Sequence, residues 1–222
     1  MPASRYFAND LSEDVVSLDE KEFHHLKNVM RGAPGDEIEL IDGKGTLAFG
    51  KILALQKHHA EIKIERREIA LPPTREVILA IAHMRPDRFS LILEKGTELG
   101  VTRFVLFPGD ASEVKNVSLT RAEQLIISAT KQCGRLFLPK LEEKPPLAKW
   151  EKQDYPLYFG DIRKGAKPVP KLSTSVQIVI GPESGFSTNE VKKLETLGEG
   201  VTLSENILRS ETAAIVAVVL FM

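Results

Sequence analysis

The residue types best suited to chemistry in this sequence lie in two short segments near its carboxyl end. The first segment reads IGPESGFSTNE (180–190), and its turn-forming part contains two glycines, a proline and an acid. Glycine lets a backbone approach a ligand closely and adopt positive φ, and proline fixes part of the path. Such a loop can present backbone groups to a flat heteroaromatic ligand. From this segment alone, a tight strand-to-helix turn is the simpler interpretation.

The second segment, LSENILRSETAAIVAV (203–218), places Arg209 and Glu211 just before and at the start of an apolar run. An arginine is permanently charged and offers fixed donors to an anionic group or a carbonyl oxygen. Glu211 in the first turn of the predicted helix favours the helix dipole. Arg209 is therefore either a surface residue or a cation held in a cleft, and the residues alone leave both readings open.

The elements that must position these segments alternate between strand and helix after Pro72-Pro73. The predicted strands are VILAIA (77–82), RFVLF (103–107), PLYF (156–159), VQIVI (176–180) and VTL (201–203). The helices between them are predicted to start at Asp87 and at two capping boxes, Thr120 with Glu123 and Ser187 with Glu190. This alternation is typical of an α/β fold with parallel pairing. It puts the loop after Ile180 at the carboxyl edge of the sheet, where such folds bind ligands.

The region before the two prolines has a different pattern. Residues 1–71 contain alternating β segments, the hairpin dipeptide Asp42-Gly43, and one short helix. We expect Asp19 to cap that helix, with Phe23, Leu26 and Met30 on its buried face. The pattern predicts a small β-barrel, an architecture that commonly binds RNA or oligosaccharide, although a fold does not establish a function. We therefore predict two domains, 1–71 and 72–222.

Composition narrows the functional classes. The chain has 222 residues, 42% hydrophobic and 27% charged, as in ordinary globular proteins. The lone Cys133, the absence of a signal pattern and a longest apolar run of only ten residues predict a cytoplasmic protein without a membrane span. The histidines occur mainly as adjacent pairs, which do not share a face, so we expect no metal site.

Net charge gives no support for a nucleic-acid partner at the level of the whole chain. The formal charge is −1 and the pI is about 6.5, whereas a strong basic excess is the usual footprint. Two local patches remain candidates for RNA. One is Arg66-Arg67, and the other comprises Lys21, His24, His25, Lys27 and Arg31.

Six motifs in order resemble those of a known family. GPESGFSTNE resembles its G-P-E-G-G-F-S-x-x-E, and LSENILRSETA resembles its L-G-x-R-I-L-R-x-E-T-A. EKGTELGV and KQCGR resemble two internal segments, and HHLKNVMR and GDEIELIDGKG resemble the amino-terminal pattern. The family is the RsmE-type 16S ribosomal RNA uridine-N3 methyltransferases of the SPOUT superfamily, and the resemblance covers nearly the whole chain.

The resemblance implies a fold, a cofactor and partners. The fold is a PUA-like β-barrel followed by an α/β domain with a carboxyl-terminal trefoil knot, an exception to the usual absence of knots. The cofactor is S-adenosylmethionine, the substrate is 16S ribosomal RNA of the small subunit, and the protein is a homodimer. The implied cofactor-binding residues are Ile180, Gly181, Pro182, Glu183, Gly185, Leu203, Ser204, Ile207 and Leu208. Arg209 is the implied catalytic cation, and Glu211 is expected to orient it or the base.

Three positions depart from the family pattern. Ser184 and Ser204 stand where the motifs have glycine, and Asn206 stands where the second motif has arginine. Two alternatives therefore stay open beside uridine-N3 methylation. One is a SPOUT methyltransferase for another RNA position, and the other is a non-catalytic ribosomal RNA-binding or assembly factor that keeps the fold.

Overall fold

The structure, a computed structural model, describes residues 5–163 and 165–222. The chain forms two compact units. One comprises the chain up to Pro72 together with Ile127–Leu138, and the other comprises Pro73–Ile126 together with Pro139–Met222. No helix within the described ranges is long and apolar enough to cross a bilayer.

The first unit is built on a five-stranded sheet in the order β1-β3-β4-β5-β2. Its strands are β1 (Arg5–Phe7), β2 (Val15–Leu18), β3 (Glu37–Ile41), β4 (Thr46–Leu55) and β5 (Ala60–Ile69). β1 pairs parallel with β3, and the other pairs are antiparallel. Alternate residues of these strands, such as Ile38 and Leu40, are buried in one apolar core, as period-2 patterning requires.

A short helix in this unit differs from its predicted form. α1 (Glu20–His24) is capped by Asp19, whose Oδ1 accepts from Glu22 N at 2.9 Å, as predicted. It then continues as a π-helix, His25–Val29. A π-turn holds more residues than an α-turn, so the helical periodicity used to predict the buried face fails here. Leu26 is buried, whereas Met30 is 47% exposed, so the prediction for Met30 was wrong.

The second unit contains a seven-stranded parallel sheet in the order β10-β12-β9-β11-β6-β7-β8. The strands are β6 (Val77–Ala82), β7 (Arg103–Phe107), β8 (Lys140–Glu143), β9 (Leu157–Gly160), β10 (Lys167–Pro168), β11 (Val176–Ile180) and β12 (Glu199–Thr202). β6 and β11 are buried at every residue, as expected for central parallel strands. The predicted α/β fold with parallel pairing is confirmed.

Among the described residues, a 3-10 turn (Leu147–Lys149) and four α-helices complete the regular structure: α2 (Pro86–Glu98), α3 (Leu119–Cys133), α4 (Thr188–Leu197) and α5 (Ser210–Phe221). The capping box of Ser187 with Glu190 is present as predicted. The other two predicted starts were wrong. α2 begins at Pro86, because proline suits a first helical position where no N–H is needed. α3 begins at Leu119, and Ser118 Oγ accepts from Arg121 N.

Candidate functional site

A cleft of about 430 Å³ opens in the second unit beside the carboxyl ends of β9, β11 and β12. Three segments form most of its lining: 159–163, 180–186 and 202–208. Each follows or ends a parallel strand, so the strand order of the sheet is what brings these distant segments together. Its volume lies in the range of small-molecule and cofactor sites.

The loop after β11 turns sharply into α4. Gly185 N donates to Pro182 O at 2.9 Å, and Gly185 has φ +78°, a conformation that disfavours any side chain. A Cβ built at Gly185 meets no protein atom within 4 Å. Glycine is therefore needed here for backbone conformation rather than for protein packing. Beyond it, Ser187 and Glu190 cap α4, and Glu190 Oε1 also accepts from Asp110 N at 3.0 Å.

All nine residues that the sequence analysis assigned to cofactor binding line this cleft. They are Ile180, Gly181, Pro182, Glu183, Gly185, Leu203, Ser204, Ile207 and Leu208. The departures from the family motifs, Ser184, Ser204 and Asn206, line it as well. Asn206 N donates to Ser204 Oγ at 3.1 Å, so these two replacements interact with each other.

Sequence reasoning missed two charged residues of the cleft, Asp161 and Arg163. Asp161 follows β9, and its largely buried carboxylate accepts from Arg163 Nη2 at 2.6 Å and from Arg163 Nε at 2.9 Å. These hydrogen bonds lower the pKa of Asp161 below its ordinary value. Arg163 Nη1 also donates to Glu195 Oε1 at 2.8 Å. The signal that could have found Asp161 is its position directly after a parallel strand.

Arg209 and Glu211 lie outside the residues that line the cleft. Arg209 is exposed at the start of α5, where its carbonyl oxygen accepts from Ala213 N at 2.8 Å. No ion pair or side-chain hydrogen bond of Arg209 occurs within the described part of the chain. Glu211 is buried, and its Oε2 lies 3.8 Å from Arg88 Nε. The predicted roles of Arg209 and Glu211 stay predictions.

Arg88 is a third residue that sequence reasoning missed. Its Nη1 lies 3.5 Å from Glu183 Oε1, while its Nε faces Glu211, and the Arg88 side chain is 26% exposed. Glu183 Oε1 also accepts from Arg85 N at 3.2 Å. The start of α2 thus links the loop after β11 to the first turn of α5. An arginine in the first turn of a helix opposes the dipole, and that unfavourable placement is a signal that it has acidic partners.

Within residues 5–163 and 165–222, no group of three or more His, Cys, Asp or Glu is placed to hold a metal ion. The chemical content of the cleft is instead apolar walls, backbone groups of two loops, and two carboxylates, Glu183 and Asp161, of which Asp161 is paired with the Arg163 guanidinium. Such a lining suits a flat heterocycle with attached hydroxyl or charged groups.

Two family models match the chain. One is an RNA methyltransferase domain over residues 71–222, and the other is an RNA methyltransferase PUA domain over residues 18–65. Together they cover most of the sequence, and they meet close to the two prolines.

Curated relatives and solved structures agree with these matches. Ribosomal RNA small subunit methyltransferase E of Mesomycoplasma hyopneumoniae is 30% identical over 238 residues, covering 95% of this chain and 95% of the relative. Its counterpart in Rickettsia conorii is 27% identical over 205 residues, covering 88% and 84%. A Neisseria gonorrhoeae structure of the same name, bound to S-adenosyl methionine, has a TM-score of 0.85 at 26% identity, covering 98% and 95%. A predicted RNA methyltransferase from Thermotoga maritima has a TM-score of 0.84 at 30% identity, covering 98% and 95%.

Proposed function

The chain belongs to the RNA methyltransferase family, and from this premise we propose that it methylates N3 of a uridine in 16S ribosomal RNA, using S-adenosylmethionine. The observation that carries the proposal is the cleft at the carboxyl edge of the parallel sheet, which both motif loops line. The relatives named above are small subunit ribosomal RNA methyltransferases. We propose the same substrate here, and hence a cytoplasmic location beside the ribosome.

The residues of the cleft fit the cofactor. Ile180, Leu203 and Leu208 offer apolar walls to a planar adenine, and the adjoining backbone offers donors and acceptors to its edge. Asp161 is an ionised acceptor suited to ribose hydroxyls or an ammonium group. When bound, the cofactor supplies a methyl group already activated as a sulfonium. The part left to this chain is to hold donor and acceptor in line and to exclude water.

The acceptor nitrogen must lose a proton, because uridine N3 is mostly protonated near neutral pH. Negative charge then develops over the uracil carbonyl oxygens, and a nearby guanidinium stabilises it. We propose Arg209 for this role, since its exposed side chain is not engaged by an acid in the described structure. Glu211 is engaged by Arg88 instead. We therefore propose that Glu211 holds the start of α5, and thereby the position of Arg209.

The same proposal includes the roles of the two domains, the knot loops and the oligomeric state. We propose that residues 1–71 form a PUA-like barrel for RNA and that 72–222 form the methyl-transfer domain, with 181–185 and 203–209 as the loops of a trefoil knot. We also propose a homodimer. Residues 213–222 have no polar face, yet Val219 and Leu220 of α5 and the following Met222 are roughly half exposed, and an apolar surface of this kind favours a two-fold interface.

The test is methyl transfer to small ribosomal subunits from a strain lacking this protein, followed by mass mapping of the modified nucleotide. We expect one 3-methyluridine. We expect Arg209→Ala to keep cofactor affinity within about tenfold and to lower transfer about a hundredfold, as loss of one charge-stabilising donor does. Arg209→Lys should restore only part of the rate, because a point charge lacks the planar fork. Wild-type transfer by folded Arg209→Ala protein would remove its catalytic assignment.

A second candidate function is a non-catalytic ribosomal RNA assembly factor. The observation that favours it is that Ser204 and Asn206, which replace a motif glycine and arginine, both line the cleft. Titration calorimetry with S-adenosylmethionine separates the two functions, because only the enzyme requires the cofactor. Absence of binding by folded protein would favour the assembly factor.

A further inference from the structure

The segment from His25 to Arg31 has an unusual backbone. Its π-helix, His25–Val29, ends with Met30 N donating to His25 O at 3.1 Å. Arg31 follows with φ +56°, the sole positive φ of a non-glycine residue in the described chain. Positive φ is disfavoured for any residue with a Cβ. Both π-turns and strained backbone concentrate at functional sites, so this segment is a candidate for binding.

Buried anchors fix the segment so that its other side chains face solvent. Phe23 and Leu26 pack in the core of the first unit, and Gly32 N donates to Leu26 O at 3.0 Å. A Cβ at Gly32 would lie 2.7 Å from Leu26 Cδ1, so the chain passes closely over this anchor. The exposed side chains between the anchors are Lys27, Asn28, Val29, Met30 and Arg31. An apolar pair thus lies exposed between two cations.

Most other cations of the first unit already have acidic or carbonyl partners. Arg5 is paired with Glu39, and Lys51 with Glu65 and Glu37. The other candidate RNA patch, Arg66-Arg67, is excluded for the same reason, because both of its cations already have partners. Arg66 is paired with Glu68 and lies over the Phe49 ring, and Arg67 donates to main-chain oxygens of Leu11, Ser12 and Glu13.

The exposed segment itself keeps its cations available. The Arg31 side chain makes no ion pair or hydrogen bond among the described residues. Lys27 Nζ lies only over the Phe23 ring, 5.3 Å from its centroid, a contact that leaves its donors free for a phosphate. The nearby carboxylate of Glu22 is neutralised by Lys131. Cations without an acidic partner are significant in this unit, because its chain up to residue 72 carries ten Lys and Arg against thirteen Asp and Glu.

We propose that this segment is the surface by which the first unit binds ribosomal RNA. Lys27 and Arg31 bind consecutive phosphates, and Val29 and Met30 contact an unstacked base of a single-stranded region. The proposal rests on the proposed function, because it takes ribosomal RNA as the partner. It adds the residues that hold the RNA, and it predicts that they act on RNA affinity alone.

The decisive variant is Arg31→Gly. Glycine adopts positive φ without strain, so the variant should melt at a higher temperature than the wild type. Because it also loses a phosphate contact, it should bind 16S ribosomal RNA more weakly. The slope of log affinity against log salt should shrink by about 0.7 to 0.9. If Arg31 served stability alone, replacing it would lower the melting temperature and would not weaken RNA binding in a folded protein. Weaker RNA binding together with a higher melting temperature is therefore expected only if Arg31 contacts the RNA.

A pair of double variants supplies the control. Lys27→Gln with Arg31→Gln should shrink the salt slope by about 1.4 to 1.8, whereas Lys57→Gln with Lys63→Gln removes equal charge from exposed sites of the same unit and should shrink it much less. Cofactor affinity by calorimetry should be unchanged in every variant. Suppose that Arg31→Gly methylates ribosomal RNA normally and keeps the wild-type RNA affinity and salt slope. That result would overturn the proposed RNA-binding surface and leave the proposed function intact. Equal losses in the two double variants would also overturn it, and a wild type that binds no ribosomal RNA would overturn both proposals.

Discussion

Replacing Arg88 with methionine tests whether the start of α2 holds the loop after β11, which we propose binds the cofactor. The guanidinium lies 3.5 Å from Glu183 Oε1 and 3.8 Å from Glu211 Oε2, and both carboxylates are mostly buried. Methionine keeps much of the side-chain volume and removes the charge. The variant therefore leaves two acids from different segments near one another with no cation between them.

The distances set the size of the effect. At an effective dielectric constant of 20, each contact corresponds to about 4 to 5 kcal/mol of Coulomb attraction. Arg88 is partly exposed, so solvent screening and the cost of desolvating the charges reduce this considerably. We expect a loss of about 1 to 3 kcal/mol in the free energy of unfolding. Because Glu183 belongs to the loop that lines the cleft, we also expect S-adenosylmethionine affinity to fall about tenfold.

Arg85→Met is the matched control. Arg85 also carries a guanidinium at the start of α2, but its partner Glu113 is exposed, and so is Arg85 itself. Removing an exposed pair costs at most about 1 kcal/mol. Urea unfolding and titration calorimetry on both variants measure the difference. If Arg85→Met proves as damaging as Arg88→Met on both measures, the bridge between Glu183 and Glu211 does not hold the loop, and the reasoning fails.

Two further predictions concern the loop and the last helix. Gly185→Ala should weaken cofactor binding about tenfold, because φ +78° strains any Cβ by about 1 to 2 kcal/mol, whereas Gly35→Ala, at φ +95° in the first unit, should lose stability and keep affinity by calorimetry. Equal affinity in the two variants would contradict a cofactor role for the loop. Val219→Lys should shift sedimentation from dimer to monomer, since it places a charge on the exposed apolar face of α5, whereas Leu71→Lys, at an exposed residue of the first unit, should not. A wild type that sediments only as monomer at micromolar concentration would refute the interface.

Sequence patterns predicted the buried strands well, because β6 and β11 are short apolar runs with no competing interpretation. They failed where one residue overrode a local rule. Pro86 moved the start of α2, and the π-helix turned Met30 to solvent. The edge strands β8 and β10 were missed because KLEE and KP carry no apolar pattern.

The candidate site likewise has a part that the sequence predicts and a part that it does not. The loop residues around Gly185 follow from glycine and proline chemistry and from the family resemblance. The link from Arg88 to Glu183 and Glu211 joins three segments far apart in sequence. Such long-range pairing depends on the strand order of the sheet, and periodicity does not specify that order.

The order of strands in the sheet also constrains how a nascent chain can fold. β6 is made early, yet one of its two neighbours, β11, leaves the ribosome only after α3, β8 and β9 have been synthesised. The first unit likewise includes Ile127–Leu138 and cannot be completed when Pro72 emerges. Contacts between segments so distant in sequence close slowly. The half-made polypeptide therefore leaves one edge of the apolar strand VILAIA unpaired until β11 has been synthesised, and a chaperone that shields exposed strands should raise the yield of folded protein.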